Sequence, residues 1–262
     1  MIPIRDYNPS RSFPFVTVAI IVVNFVVFLF VEPSVNSNSG EQQAFFYCNA
    51  EIPYEVSHHT NLANGGSDAA SAIAQDYGVS TTDAAQLEQD LATRCPHKFW
   101  LWSIVAAMFL HAGWLHILGN MLYLWIFGDN VEDRLGRVGY LVFYLLGGFA
   151  ATGLQLAIQP NSTVPNLGAS GAIAAVLGAY LLFYPRARVL VIVLPFFIFP
   201  LRAEWVLGFW FLIQLLYGAG SLGTQVNGGV AYWAHIGGFA FGVLVAWVML
   251  RRTPRQQPVA YP

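Results

Sequence analysis

The sequence predicts an all-α integral membrane protein of six spans with both termini in the cytoplasm, and three observations carry that expectation. Hydrophobic residues make up 56% of the chain and charged residues 10%, with a mean hydropathy of +0.53, too apolar and too poor in charge for a soluble domain. Long apolar runs recur along the chain, separated by polar patches. All basic residues except Arg94 and Lys98 fall in patches that alternate placement assigns to one side, which the positive-inside rule makes cytoplasmic. A net charge of −2 gives no basic excess, so the bilayer is an expected partner and nucleic acid is not.

Residues 1–12 carry Arg5 and Arg11 and read as a cytoplasmic N-terminus. The first span, 13–31, is long enough to cross ~30 Å of hydrocarbon, and its exit, Glu32-Pro33-Ser34, is unlike a signal-peptide cleavage site, so the span is retained. Residues 32–98 hold nine acidic residues, from Glu32 to Asp90, against Arg94 and Lys98, which places this polar segment on the non-cytoplasmic face. Within it, 82–91 reads as a short surface helix and Asn64-Gly65-Gly66 as a turn. Cys48 and Cys95 are either two free thiols or a disulfide, and an oxidising compartment favours the disulfide. His58-His59 lacks a third ligand at a recognisable spacing, so no metal is expected.

Residues 99–250 form the core. An interfacial piece rich in Trp and Phe, 99–112, leads into a second span, 113–127. The polar patch 129–137 is cytoplasmic, and the third span, 138–158, carries Gly147, Gly148 and Gly153 for close packing. The fourth span, 170–184, is bracketed by Pro165 and Pro185 and reaches only roughly 22 Å, so Ser170 should lie below the outer surface. Backbone at that depth must be buried in protein or line a water-filled cavity. Residues 189–201, broken by Pro195 and Pro200, are expected to lie along the interface. The fifth span, 203–217, carries Trp205, Phe209, Leu212 and Leu216 at helical spacing, a stripe that either packs on a neighbouring helix, as a gate would, or faces lipid. A glycine-rich outer loop, 218–229, a sixth span, 232–250, and a basic cytoplasmic tail, 251–262, complete the chain.

Polar groups within these spans line up. Gly168-Ala169-Ser170-Gly171-Ala172 opens the fourth span; small residues there can simply pack helices, and Ala172 stands where the soluble hydrolase elbow has its second glycine. His116 and Asn120 are one turn apart on one face of the second span, and His235 precedes Gly238 and Gly242, a surface for close helix contact, in the sixth. Spans two, four and six all run from outside to inside, so His116, Ser170 and His235 share one depth. One such residue alone could be a helix-packing hydrogen bond; several at one level point to a site. Ser170 would be the nucleophile and His235 its base. No acidic residue lies at that depth, which makes a dyad. Asn120, His116 and backbone N–H groups at Ala169, where the helix dipole is positive, would face an oxyanion.

These residues resemble the rhomboid intramembrane serine proteases. The resemblance covers about 99–250 and rests on His116-Ile-Leu-Gly-Asn120, Gly128-xxx-Glu132-xxx-Gly136, Gly168-Ala169-Ser170-Gly171 and Ala234-His235-Ile-Gly-Gly238-xxx-Gly242, in order and on the right spans. It implies a six-helix rhomboid-like bundle in which Ser170 and His235 are catalytic and His116, Asn120 and Ala169 line the oxyanion site. The implied activity is hydrolysis of a peptide bond in or near the transmembrane segment of protein substrates, at the cell membrane, without cofactor. Two positions depart from common members. Trp102-Ser103 stands where many have Trp-Arg, and Ala174 where some have an aromatic packed on the base, leaving His235 expected to be less constrained. The alternative is a non-catalytic rhomboid-like protein that binds membrane clients; such proteins typically lack the serine or the base. A solute transporter is disfavoured because the polar set lies toward one face and no repeat is visible.

Overall fold

The computed structural model describes residues 1–32, 39–193, 197–221 and 230–252. The predicted spans are all helical. They are α1 (Phe15–Phe30), α7 (Trp114–Leu135), α8 (Arg137–Ile158), α9 (Ser170–Phe183), α10 (Ala203–Gly220) and α11 (Tyr232–Arg252). By length and composition α8, α10 and α11 are long and apolar enough to cross a membrane, while α1 and α9 are shorter apolar helices. α9 is the hub. Its residues from Ala172 to Tyr180 are all buried, and small side chains at five of those nine positions let α7, α8 and α11 close around it. The surrounding helices expose large apolar side chains such as Leu115, Val138, Trp205 and Leu244, as expected of surfaces that meet lipid.

Three features differ from the sequence expectation. The second span does not stop at 127: α7 runs through the polar patch to Leu135, and Gly136, at φ +73°, makes the turn into α8. The helix continues because its polar residues have partners. The Glu132 carboxylate accepts from the N–H groups of Val16 (3.0 Å) and Thr17 (2.8 Å) and from the Thr17 hydroxyl (2.8 Å). It thereby caps α1, whose own N-cap residue, Pro14, offers no side-chain acceptor. Gly128 leaves room for this joint, since a Cβ there would lie 2.7 Å from the Tyr140 hydroxyl and 3.1 Å from Thr17.

Second, the chain is not all-α. β1 (Ile2–Asp6) pairs antiparallel with β2 (Arg188–Val193), which pairs with β3 (Phe197–Arg202), in the order β1-β2-β3. The stretch expected to lie flat at the interface alternates, with Val189 and Val191 fully buried, which is strand periodicity. Pro200 sits on edge strand β3, where a missing N–H is tolerated. Pro195 lies outside the described residues, as do 33–38, most of the predicted 218–229 loop and the tail from 253.

Third, residues 39–94 hold more helix than the one predicted over 82–91. That one is α5 (Thr81–Arg94), capped by Ser80, whose Oγ accepts from the Asp83 N–H at 3.1 Å. It packs with α2 (Ser39–Asn49), α3 (Pro53–His58), the single turn Leu62–Asn64 and α4 (Gly66–Tyr77) around Ile52, Leu62 and Ile73, all fully buried. The predicted turn forms at Gly66, with φ +61°. A disulfide joins Cys48 to Cys95, Cα atoms 5.2 Å apart. Lys98 Nζ lies 2.6 Å from the Glu55 carboxylate and donates to the Tyr47 carbonyl, with both charged side chains almost fully buried. His58 stacks on Tyr54 and bonds its carbonyl, and His59 faces Trp100.

Candidate active site

Ser170 is the first residue of α9 and His235 lies in the first turn of α11. Glycine sets their separation. A Cβ at Gly238 would strike the Gly171 carbonyl, one at Gly242 the Ala175 carbonyl, and one at Gly178 the Phe239 carbonyl. With hydrogen at all three positions the two backbones approach directly, and His235 Nε2 comes to 2.7 Å from Ser170 Oγ. Both residues are half-buried. The predicted partner of Gly238 and Gly242 is therefore α9. Of the glycines expected to pack the third span, Gly147 abuts Ala175 and Gly148 abuts Met108, but Gly153 faces open space.

On the other side of Ser170, Gly168 has φ +121°, in the region glycine favours. A Cβ there would lie 2.7 Å from His116 Nε2 and 3.6 Å from Asn120 Nδ2, so the turn before the serine runs directly against both side chains. The Ala112 N–H points at His116 Nδ1 (3.4 Å), which leaves Nε2 as the ring's N–H on the Gly168 side. Asn120 is buried, and its Nδ2 has no acceptor among the described residues. Ala169 is the buried N-cap of α9 and makes no side-chain cap bond. The five residues singled out in the sequence thus meet around one point.

Sequence reasoning missed two amides. Gln214 of α10 is buried, with Oε1 2.8 Å from His235 Nδ1. Gln155 of α8, also buried, accepts from the Ala234 N–H at 3.2 Å and so holds the start of α11. The signal was present: each is a polar side chain inside an apolar span, which is by default a place to look for function. Trp210 lies 5.8 Å, centroid to centroid, from the His235 ring, so His235 has aromatic contact from α10 although Ala174 supplies none from α9. Ser103, at the first departure, lies on α6 (Trp100–Ala107), is buried and donates to the Trp100 carbonyl at 2.6 Å.

The loop leading to Ser170 is held from outside the bundle. The Asn166 N–H donates to the Glu51 carbonyl (2.7 Å) and its Nδ2 to the Glu51 carboxylate (2.8 Å). The Thr163 hydroxyl donates to Asp76 (2.7 Å), and the Gly168 N–H to the Ala107 carbonyl (2.8 Å). Burial raises the Glu51 carboxyl to about 7, against the lowering effect of the Asn166 bond and Lys98.

A sequence model of the Rhomboid domain matches residues 98–252. Rhomboid protein 1, mitochondrial, of Saccharomyces cerevisiae is 31% identical over 160 residues, 59% of this chain and 44% of that protein. Rhomboid-like protein 11, chloroplastic, of Arabidopsis thaliana is 31% identical over 158 residues, 58% of this chain and 54% of that protein. Presenilin-associated rhomboid-like protein A, mitochondrial, of Danio rerio is 32% identical over 146 residues, 53% of this chain and 35% of that protein. The chain thus spans about half the length, or less, of these relatives. Because the domain match takes in more than half of the chain, together with the helices that bear Ser170 and His235, this multi-pass membrane protein belongs to the rhomboid family.

Proposed function

We propose that the chain is a serine endopeptidase that cleaves transmembrane protein substrates within the bilayer. The observation that carries this reading is the 2.7 Å contact between Ser170 Oγ and His235 Nε2, made at the ends of two helices fixed by glycine contacts. Ser170 Oγ attacks the scissile carbonyl carbon as its proton passes to His235 Nε2. The carbonyl oxygen becomes an oxyanion beside Asn120 Nδ2, His116 Nε2–H and the N–H groups that open α9 around Ala169. Collapse expels the amine, which takes the proton from His235, and leaves an ester on Ser170. Water then attacks the ester with His235 again as base, and the second collapse breaks the bond to Ser170 Oγ, which recovers its proton from His235 as the carboxylic acid leaves. None of these steps calls for a metal or cofactor.

In this reading α1, the first part of α7, α8, α9, α10 and α11 are six spans of the cell membrane. Both termini are cytoplasmic and residues 32–98 lie on the opposite face. The sheet supports that arrangement, because β1 pairs with the strands that follow α9 and so puts the N-terminus at the same end as the arginine-bearing link. The Asn120 Nδ2, which has no acceptor among the described residues, favours an enzyme over a client-binding relative, since a purely structural asparagine would spend both its N–H donors on its neighbours. Reaction of the detergent-purified chain with a fluorophosphonate is the test. Labelling that disappears in Ser170→Ala is expected, and a wild-type chain that stays unlabelled would refute the reading.

A further inference from the structure

Gln214 sits between Ile213 and Leu215 on α10, and its amide bridges two groups. Its Nε2 points at the carbonyl of Trp210, one turn earlier, at 3.4 Å. That contact suits an N–H and repels an oxygen, so it sets which way the amide faces and leaves Oε1 toward His235 Nδ1 at 2.8 Å. An amide oxygen only accepts. His235 must therefore carry a proton on Nδ1 to make this bond, and a neutral imidazole has only one such proton. Nε2 is then bare, with its lone pair directed at the Ser170 hydroxyl 2.7 Å away. The opposite tautomer would set the Nδ1 lone pair against an oxygen and turn Nε2 into a donor unable to accept the serine proton.

We propose that Gln214 is the positioning residue of the base: with a neutral amide it fixes the tautomer and direction of His235, the task a carboxylate performs in a Ser-His-Asp triad. The assignment rests on the protease reading for its functional meaning and on the two contacts of the amide for its geometry. A neutral group suits the location, because a carboxylate buried among apolar helices would carry a desolvation penalty that an amide avoids. Trp210 on the same helix touches the same ring, so α10 supplies both the hydrogen bond to its edge and an aromatic contact. Ser170 and His235 belong to α9 and α11, whereas the group that orients the base belongs to α10. A displacement of α10 that broke the Gln214 bond would release the ring, tying the competence of the base to the seating of that helix.

The test uses the full chain in micelles, with histidines labelled in ¹⁵N and the His235 signals identified by their loss in His235→Gln. Wild type is expected to show the Nδ1–H tautomer. Gln214→Leu, similar in size but without an acceptor, should shift it toward Nε2–H or a mixture and lower the fluorophosphonate labelling rate by at least roughly tenfold, a fraction of what a general base supplies. Gln214→Glu, which restores an acceptor at the same reach, should return both readouts toward wild type, a rescue that a packing role would not give. If Gln214→Leu does not fold, Gln214→Asn takes its place: its amide is one methylene too short, and the same losses are expected. Wild-type tautomer and rate in the folded Leu or Asn variant would overturn the assignment, as would an Nε2–H tautomer in the wild type. A wild type that shows Nδ1–H, shifted by Gln214→Leu, yet never labels would sink the protease reading and leave the positioning contact standing.

Discussion

Asn120 and His235 lie to either side of Ser170, and the proposed mechanism gives them separable tasks. The Asn120 amide nitrogen is buried without an acceptor among the described residues and faces the turn that precedes the serine, so on the proposed mechanism it has a hydrogen bond to give to the oxyanion. His235 already bonds the hydroxyl before any substrate arrives. Asn120→Ala should therefore lower the rate of peptide cleavage by roughly 10²-fold or more while the fluorophosphonate still reacts, only more slowly. His235→Ala should abolish both reactions. Measuring cleavage of a transmembrane substrate and probe labelling on the same preparations checks this, and identical behaviour of the two variants would mean that Asn120 is structural.

Among the elements, the contact of α9 with α11 is the one on which the site depends. Any side chain at Gly242 would push against the Ala175 carbonyl, a backbone atom that cannot move aside cheaply. Gly242→Ala should destabilise the protein by roughly 1–3 kcal/mol and slow labelling, because separating the helices lengthens the Ser170–His235 hydrogen bond two turns away. Gly153→Ala, where a Cβ meets open space, is the matched control and should leave both thermal unfolding and labelling unchanged. α10 stands differently. Trp205, Phe209, Leu212 and Leu216 are all exposed, so the stripe is a lipid-facing surface and not a packed seam. The inward face, with Trp210 and Gln214, is the one joined to the site.

At the scale of the whole molecule, the helical unit of residues 39–98 anchors the loop that leads into Ser170, through Glu51 and Asp76. Its disulfide closes a separation of 47 residues, worth roughly 4 kcal/mol in the chain-entropy model. Reduction should accelerate proteolysis of this unit by an added soluble protease, as resolved by gel, while the membrane core stays intact. Buried carboxyls also make stability depend on pH. Burial raises Glu51 and Glu32 from 4.5 to about 7, and Asp6 at the opposite end from 3.8 to about 6. The folded chain therefore holds these protons more tightly than the unfolded one, and their stabilising contribution is complete below about 4 and lost as pH rises to about 7. Tm should fall over that interval, and Glu51→Gln should flatten part of the fall. An unchanged slope in that variant would show that Glu51 is not among the groups responsible.

Membrane class, the positions of the long helices and the residues that meet at Ser170 are all legible in the bare chain. Those follow from hydropathy, charge asymmetry and polar groups stranded in apolar runs, which are local properties that can be read without knowing which faces meet. The sequence also placed Gly238 and Gly242 correctly as a close-contact surface, because only glycine leaves a helix bare enough for another backbone. What the tertiary structure decided were the partnerships between distant segments. Glu132 reaching Thr17, β1 pairing with β2, and the Asn166–Glu51 tie all join residues more than a hundred positions apart. Gln214 is only 21 positions from His235, but nothing in an isolated α10 shows that its one buried amide turns toward the neighbouring histidine. A helix presents every side to its surroundings, and only the packing of α9, α10 and α11 selects the side that completes the site.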